Sequence, residues 1–166
     1  MDFRFQSAIT DWAEAQGYTK DFDLVSLAGA QKSILDEDTQ ATALKQVDLS
    51  VELHGSNQVV LIAHQDCGAY GGSAIFENWE QERAKYITDM ESAEVIIKEK
   101  HPDLNVKKMI LTFDDDNISF EEVSENYQQQ AISYQDIERG IKNIRIPQIF
   151  IEEDLKEGYY VSEMDE

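Results

Sequence analysis

The chain is poor in the residues that cross-link or punctuate many small proteins. It holds one cysteine and two prolines in 166 residues. A single cysteine excludes an internal disulfide framework and suits a reducing cytoplasm, where the protein is expected to reside. No apolar stretch approaches the roughly 18 residues of a membrane span, and no basic-then-apolar leader is visible. Basic residues are scarce too: 14 Lys and Arg stand against 34 Asp and Glu, a formal net charge of −20. Nucleic acids and anionic membranes are gripped mainly through Lys and Arg, so neither is an expected partner. The acidity is read as serving solubility or tolerance of salt.

What is present is enough for a core. Hydrophobic residues make up 42% of the chain, with seven Phe, seven Tyr and two Trp, which excludes a disordered chain. The length fits one domain over residues 1–166, with a core over about 1–115 and a C-terminal extension, 116–166, serving as a packing or oligomerisation arm. No internal repeat or linker is visible.

The most informative stretch is QVVLIAHQDCGAYGG, Gln58 to Gly72. Val59 to Ala63 form an unbroken apolar run, as in a strand covered on both faces. The run opens into His64, Asp66 and Cys67, then into a turn rich in glycine (Gly68, Gly71, Gly72). Open α/β sheets place their ligands at such strand ends.

Around this stretch, the pattern predicts alternating strands and helices. MDFRF reads as a first strand, with Phe3 and Phe5 on one face and Asp2 and Arg4 on the other. A helix over about 8–16 follows, with Ile9, Trp12 and Ala13 as its apolar stripe and Gly17 as its stop. DFDLVSLAGA (21–30) reads as a second strand ending in the turn Ala28-Gly29-Ala30. A helix over 36–54 carries Leu44, Val47 and Val51, with Gly55 as its stop. The longest helical pattern, 76–100, keeps Tyr86, Met90, Ala93 and Ile97 on one face. MILTF (109–113) reads as a fourth strand leaving into the acidic turn 114–117. A helix over 121–132 and a short strand or extended arm over 144–151 are the readings for the tail. The order predicts an α/β fold with a three-layer, mostly parallel sheet flanked by helices.

Two constellations carry chemistry. His64-x-x-Cys67 offers an imidazole and a thiolate, both good zinc ligands, although a catalytic zinc site needs about three from the protein. Alone, such a pair is more often a buried histidine beside a buried cysteine. Asp2-x-Arg4 offers a carboxylate that a guanidinium keeps ionised and aimed, or else an ordinary surface ion pair. His54 and His101 read as surface histidines at helix ends, and Asp66 as an acceptor of backbone amides in the turn.

Taken together, the apolar strand ending in His64-x-x-Cys67-Gly68 and the Asp2-x-Arg4 pair resemble the β-class carbonic anhydrases over roughly residues 1–115. The resemblance implies His64 and Cys67 as ligands of Zn²⁺, Asp2 and Arg4 as the catalytic dyad, and Gly68 with Gly29 as shapers of the site loop. It implies a lyase that hydrates CO₂ to bicarbonate with zinc-bound hydroxide. It also implies a homodimer or higher homo-oligomer. The pattern departs in two places: the family opens with Cys-x-Asp-x-Arg, and this chain has no cysteine besides Cys67; and the arginine and asparagine that the family places before Ala-Gly are here Ser26 and Leu27. Three readings follow. The natural protein starts further upstream and supplies the ligand there; or the chain is a non-catalytic relative that binds or assembles; or Cys67 acts as a zinc-free nucleophile.

Overall fold

A computed structural model describes residues 1–114 and 117–123. The described residues lie in one compact unit. Its helices are α1 (Gln6–Ala15), α2 (Lys32–Leu35), α3 (Glu37–His54) and α4 (Trp79–Lys100). Its strands are β1 (Gln58–His64), β2 (Asn105–Asp114) and β3 (Asn117–Glu122). The expected tail strand lies outside the described residues, as does most of the expected tail helix, whose first residues, Glu121 and Glu122, belong to β3.

The fold is α/β, with one three-stranded mixed sheet in the order β1-β2-β3. β1 and β2 run parallel, from Gln58 opposite Asn105 to His64 opposite Leu111, joined across α4. β2 and β3 pair antiparallel. This corrects the expectation of a three-layer, mostly parallel sheet, because two predicted strands do not form. MDFRF is a tight 3₁₀ turn over Phe3–Phe5, capped by the Asp2 side chain on the Arg4 N–H. The alternation of Phe3 and Phe5 does not mark a common face: Phe5 is buried and Phe3 is 85% exposed. Residues 21–27 are irregular and mostly exposed. Asp23 in this segment accepts hydrogen bonds from Ser50 and His54 at the end of α3, each at 2.7 Å. A segment tied down by side chains needs no ladder.

The two long helices follow their sequence patterns closely. α3 ends at Gly55, whose φ of +68° closes the helix in the left-handed conformation that glycine adopts without strain. α4 starts behind Asn78, whose side chain accepts the Gln81 N–H at 2.9 Å. Tyr86, Met90, Ala93 and Ile97 are each 0% exposed and pack with Leu61, Ala63 and Ile110 of the sheet. Burying a Met or Ile side chain of this kind contributes roughly 1.5–3 kcal/mol. β1 is buried less evenly than a strand covered on both faces: Leu61 and Ala63 are buried, while Val60 and Ile62 are partly open. His64 alternates with Ala63 and turns its ring away from that core, against Phe5 at 4.7 Å. Phe5 also meets Phe113 at 4.6 Å, which fixes the N-terminal turn on the end of the sheet.

Candidate active site

The site begins where β1 stops. After His64 and Gln65 the backbone enters a left-handed residue, Asp66, at φ +57°, a conformation Asp tolerates better than most. Cys67 then precedes a short 3₁₀ turn over Gly68–Tyr70, and Gly71 and Gly72 follow at φ +91° and +77°. The loop folds back on itself: the Cys67 carbonyl accepts the N–H of Tyr70 at 2.9 Å and of Gly72 at 3.0 Å. A Cβ on Gly72 would stand 3.1 Å from Asp66 Oδ1, so that close approach requires glycine. The Asp66 carboxylate accepts the Ser73 N–H at 3.0 Å, the amide-accepting role expected for it.

The N-terminal turn meets this loop through Arg4. Its Nε and Nη2 donate to the two Asp2 oxygens at 3.0 and 2.8 Å. Nη1 donates to Asp66 Oδ2 at 2.9 Å and Nη2 to the Asp66 carbonyl at 3.0 Å. The guanidinium is thus held on both edges, by a partner two residues away and by one sixty-two residues away. Arg4 holds the Asp2 carboxyl down at about 2, and the two carboxylates push Arg4 further up. Asp66 is lowered as well, first by the Ser73 N–H and then by Arg4.

His64 stands next to this pair. Its Nδ1 lies 2.9 Å from the Gln65 carbonyl, which can only accept, so Nδ1 carries a proton and Nε2 faces the site. Nε2 is 3.7 Å from Asp2 Oδ2. Burial works against a charged His64, but Cys67, the Gln65 carbonyl and Asp2 outweigh it and raise its pKa. Burial likewise works against a Cys67 thiolate, and the His64 ring together with the Ala69 and Tyr70 N–H groups outweighs it, lowering the thiol. Asp2, Arg4, His64 and Cys67 therefore gather in one place from two distant stretches of sequence.

Above them opens a cleft of about 480 Å³ lined by Asp2, Phe3, Arg4, Asp66, Gly68, Gly71 and Gly72. Gly68 lines the cleft, and a Cβ there would meet nothing within 4 Å. Gly29 lies behind the loop at φ +77°, where a Cβ would stand 3.0 Å from Lys32 Cβ and 3.1 Å from Ala69 Cβ. His54 is the exposed partner of Asp23, as a surface histidine should be. His101 differs from its expected surface position: its side chain is only 17% exposed, and Nε2 lies 2.9 Å from the buried Asp48.

Sequence reasoning missed three supports of the site: the Asp66–Arg4 contact, Ser73 and Glu82. Glu82 did carry a signal, since it falls four residues before Tyr86 on the apolar face of α4.

The sequence model of a protein family described as "Putative carbonic anhydrase" matches residues 1–124. The chain belongs to that family. An uncharacterized protein of Rickettsia conorii is 30% identical over 120 residues, 69% of this chain and 64% of its own length. Another uncharacterized protein, from Rickettsia bellii, is 29% identical over 120 residues, 69% of this chain and 73% of its own. The chain thus spans just under two thirds of the first of these relatives. No solved structure matches it significantly.

Carbonic anhydrase chemistry raises the question of zinc, and the donor set answers it in part. With Nδ1 on the Gln65 carbonyl, His64 turns Nε2 toward Asp2 and into the site, the arrangement that suits a metal-ligating imidazole. Both Asp2 oxygens are occupied by Arg4. Among the described residues no group of three His, Cys, Asp or Glu is placed to hold a metal ion. The described residues supply two donors where about three are required, so they do not complete a zinc site. No helix among the described residues is long and apolar enough to cross a membrane.

Proposed function

We propose that the chain carries a β-class carbonic anhydrase site for the interconversion of CO₂ and bicarbonate. In this reading Asp2 and Arg4 are the catalytic dyad, and His64 and Cys67 are the metal-facing pair. The observation that supports it is the Arg4-held Asp2 carboxylate standing 3.7 Å from His64 Nε2, beside Cys67, at the end of β1. Arg4 keeps Asp2 ionised at neutral pH, so that Asp2 acts there only as an acceptor of hydrogen bonds. Asp66 holds Arg4 from the far side and keeps the pair aimed at the loop. Zinc in this family supplies a nucleophilic water of lowered pKa. Met1, Phe3, Phe22 and Leu24 are exposed apolar residues, which supports a second copy of this chain as partner.

The two-donor set also favours a second reading, a carbonic-anhydrase fold kept for binding or assembly without catalysis. Metal analysis and stopped-flow CO₂ hydration on the full chain separate the two. Under the first reading the protein binds zinc, hydrates CO₂, and loses the metal on His64→Ala or Cys67→Ser and the activity on Asp2→Asn. A folded protein with neither zinc nor hydration establishes the second.

A further inference from the structure

The loop that carries Cys67 is tied to α4 by one carboxylate. Glu82 is 1% exposed, on the face of α4 that also presents Tyr86, Met90, Ala93 and Ile97 to the core. A carboxylate removed from water to this degree persists only where donors replace the water. Three do so. Glu82 Oε1 accepts the Asp66 N–H at 2.6 Å and the Tyr86 hydroxyl at 2.6 Å, and Oε2 accepts the Ser73 hydroxyl at 2.7 Å. Asp66 and Ser73 bracket the loop, and the Tyr86 hydroxyl in turn accepts the Cys67 N–H at 3.3 Å. Glu82 therefore grips both ends of the loop directly and its cysteine through one intermediary.

Asp66 passes this grip outward. The same residue that gives its N–H to Glu82 gives its carboxylate and its carbonyl to Arg4. We propose that Glu82 is the positioning residue of the site, fixing Asp66 in its left-handed conformation and so setting where Arg4 and Asp2 stand relative to His64 and Cys67. Left-handed backbone at a non-glycine residue persists where the surroundings over-determine it, and Glu82 and Ser73 do that here. Rotation of Asp66 removes both of its acceptors from Arg4 at once. Glu82 does not line the cleft and makes no hydrogen bond to Asp2, so its influence passes through Asp66. The catalytic consequence rests on the proposed function; the chain of contacts does not.

The test compares Glu82→Leu and Glu82→Gln with the unaltered full chain. The amide oxygen of Gln can still accept from Asp66 and Tyr86 while its NH₂ donates to the Ser73 oxygen, so Gln is the conservative rescue. The readout is exchange of the Arg4 Nε–H with water by ¹⁵N NMR, below the melting temperature of every variant. Glu82→Leu is expected to speed that exchange about 10-fold or more, and Glu82→Gln to stay within about 3-fold of the original. If the protein hydrates CO₂, Glu82→Leu also lowers kcat by about 10- to 100-fold, and Glu82→Gln restores most of it. A protein without hydration activity overturns the proposed function, while the Arg4 exchange still decides the role of Glu82. A folded Glu82→Leu with a lower Tm but unchanged Arg4 exchange makes Glu82 merely structural and overturns the proposal. Where Glu82→Leu does not fold, Ser73→Ala takes its place. It frees one Glu82 oxygen and is expected to speed the exchange about 3-fold, and no change overturns the proposal equally.

Discussion

Replacing Arg4 by Gln tests the electrostatics of the Asp2–Arg4 pair most directly. Asp2 receives its side-chain hydrogen bonds from Arg4, and its carboxyl falls from the usual 3.8 to about 2. At about 1.36 kcal/mol per pH unit, that lowering corresponds to about 2.4 kcal/mol. The pair is partly open to water, with Arg4 31% and Asp2 15% exposed, and screening reduces the figure to about 1–1.5 kcal/mol. The sign follows from the direction of the shift. A carboxyl lowered in the folded state stabilises the protein fully above its unfolded value, and that stability disappears as pH falls through the folded value. Arg4→Gln should therefore cost about 1–1.5 kcal/mol at pH 7, and the cost should fade between about pH 4 and pH 2. Paired urea melts at several pH values read the difference, in which the many other carboxylates cancel. A ¹³C titration of Asp2 reads the cause: its midpoint should move from about 2 in the original chain to 3.8 or above in the variant. Asp66 should move less, because the Ser73 N–H, its larger support, remains. An original chain in which Asp2 titrates near 3.8, or a variant whose destabilisation does not change with pH, refutes the reasoning.

Other outcomes can be checked by melting experiments. Gly29→Ala places a Cβ against Lys32 and Ala69 at a left-handed φ of +77°, and should cost about 2–3 kcal/mol in urea. Asn78→Ala removes the cap on the Gln81 N–H and should cost about 1 kcal/mol, with a small loss of helix by circular dichroism. Met90→Ala opens a cavity at a position 0% exposed and should lower stability by about 2–5 kcal/mol, while the Arg4 Nε–H exchange stays unchanged.

Much of the helical frame was legible in the sequence. Tyr86, Met90, Ala93 and Ile97 recur at helical spacing because the face that they form is the one that is buried. Gly55 ends α3 because a left-handed terminal residue is what glycine supplies. The N-terminal turn was not legible. Asp-Phe-Arg-Phe alternates like a strand, but the Asp2 side chain bonds the Arg4 N–H two residues on and winds the backbone instead. Residues 21–27 differ from the expected strand for a related reason, since Phe22, Leu24 and Val25 stay exposed and side chains at the end of α3 hold the segment. The site was half legible. His64, Cys67, Asp2 and Arg4 could be named from their types and spacing. The contacts that bring them together, Arg4 with Asp66 and Asp66 with Glu82, join residues far apart in sequence and leave no periodic trace.

The anchoring of the N-terminal turn has a thermodynamic consequence for the site. Apart from its ion pairs, the turn is held to the sheet chiefly by one buried ring, Phe5, against His64 and Phe113. Releasing one such ring and a partly solvated guanidinium costs only a few kcal/mol, less than unfolding the helical core. The Asp2–Arg4 pair and the His64–Cys67 pair therefore sit on elements held by unequal amounts of buried surface, and faster amide exchange in the turn than in α4 is the expected sign of it. Under the proposed function, competence for chemistry is then a population: the fraction of molecules in which Phe5 is seated.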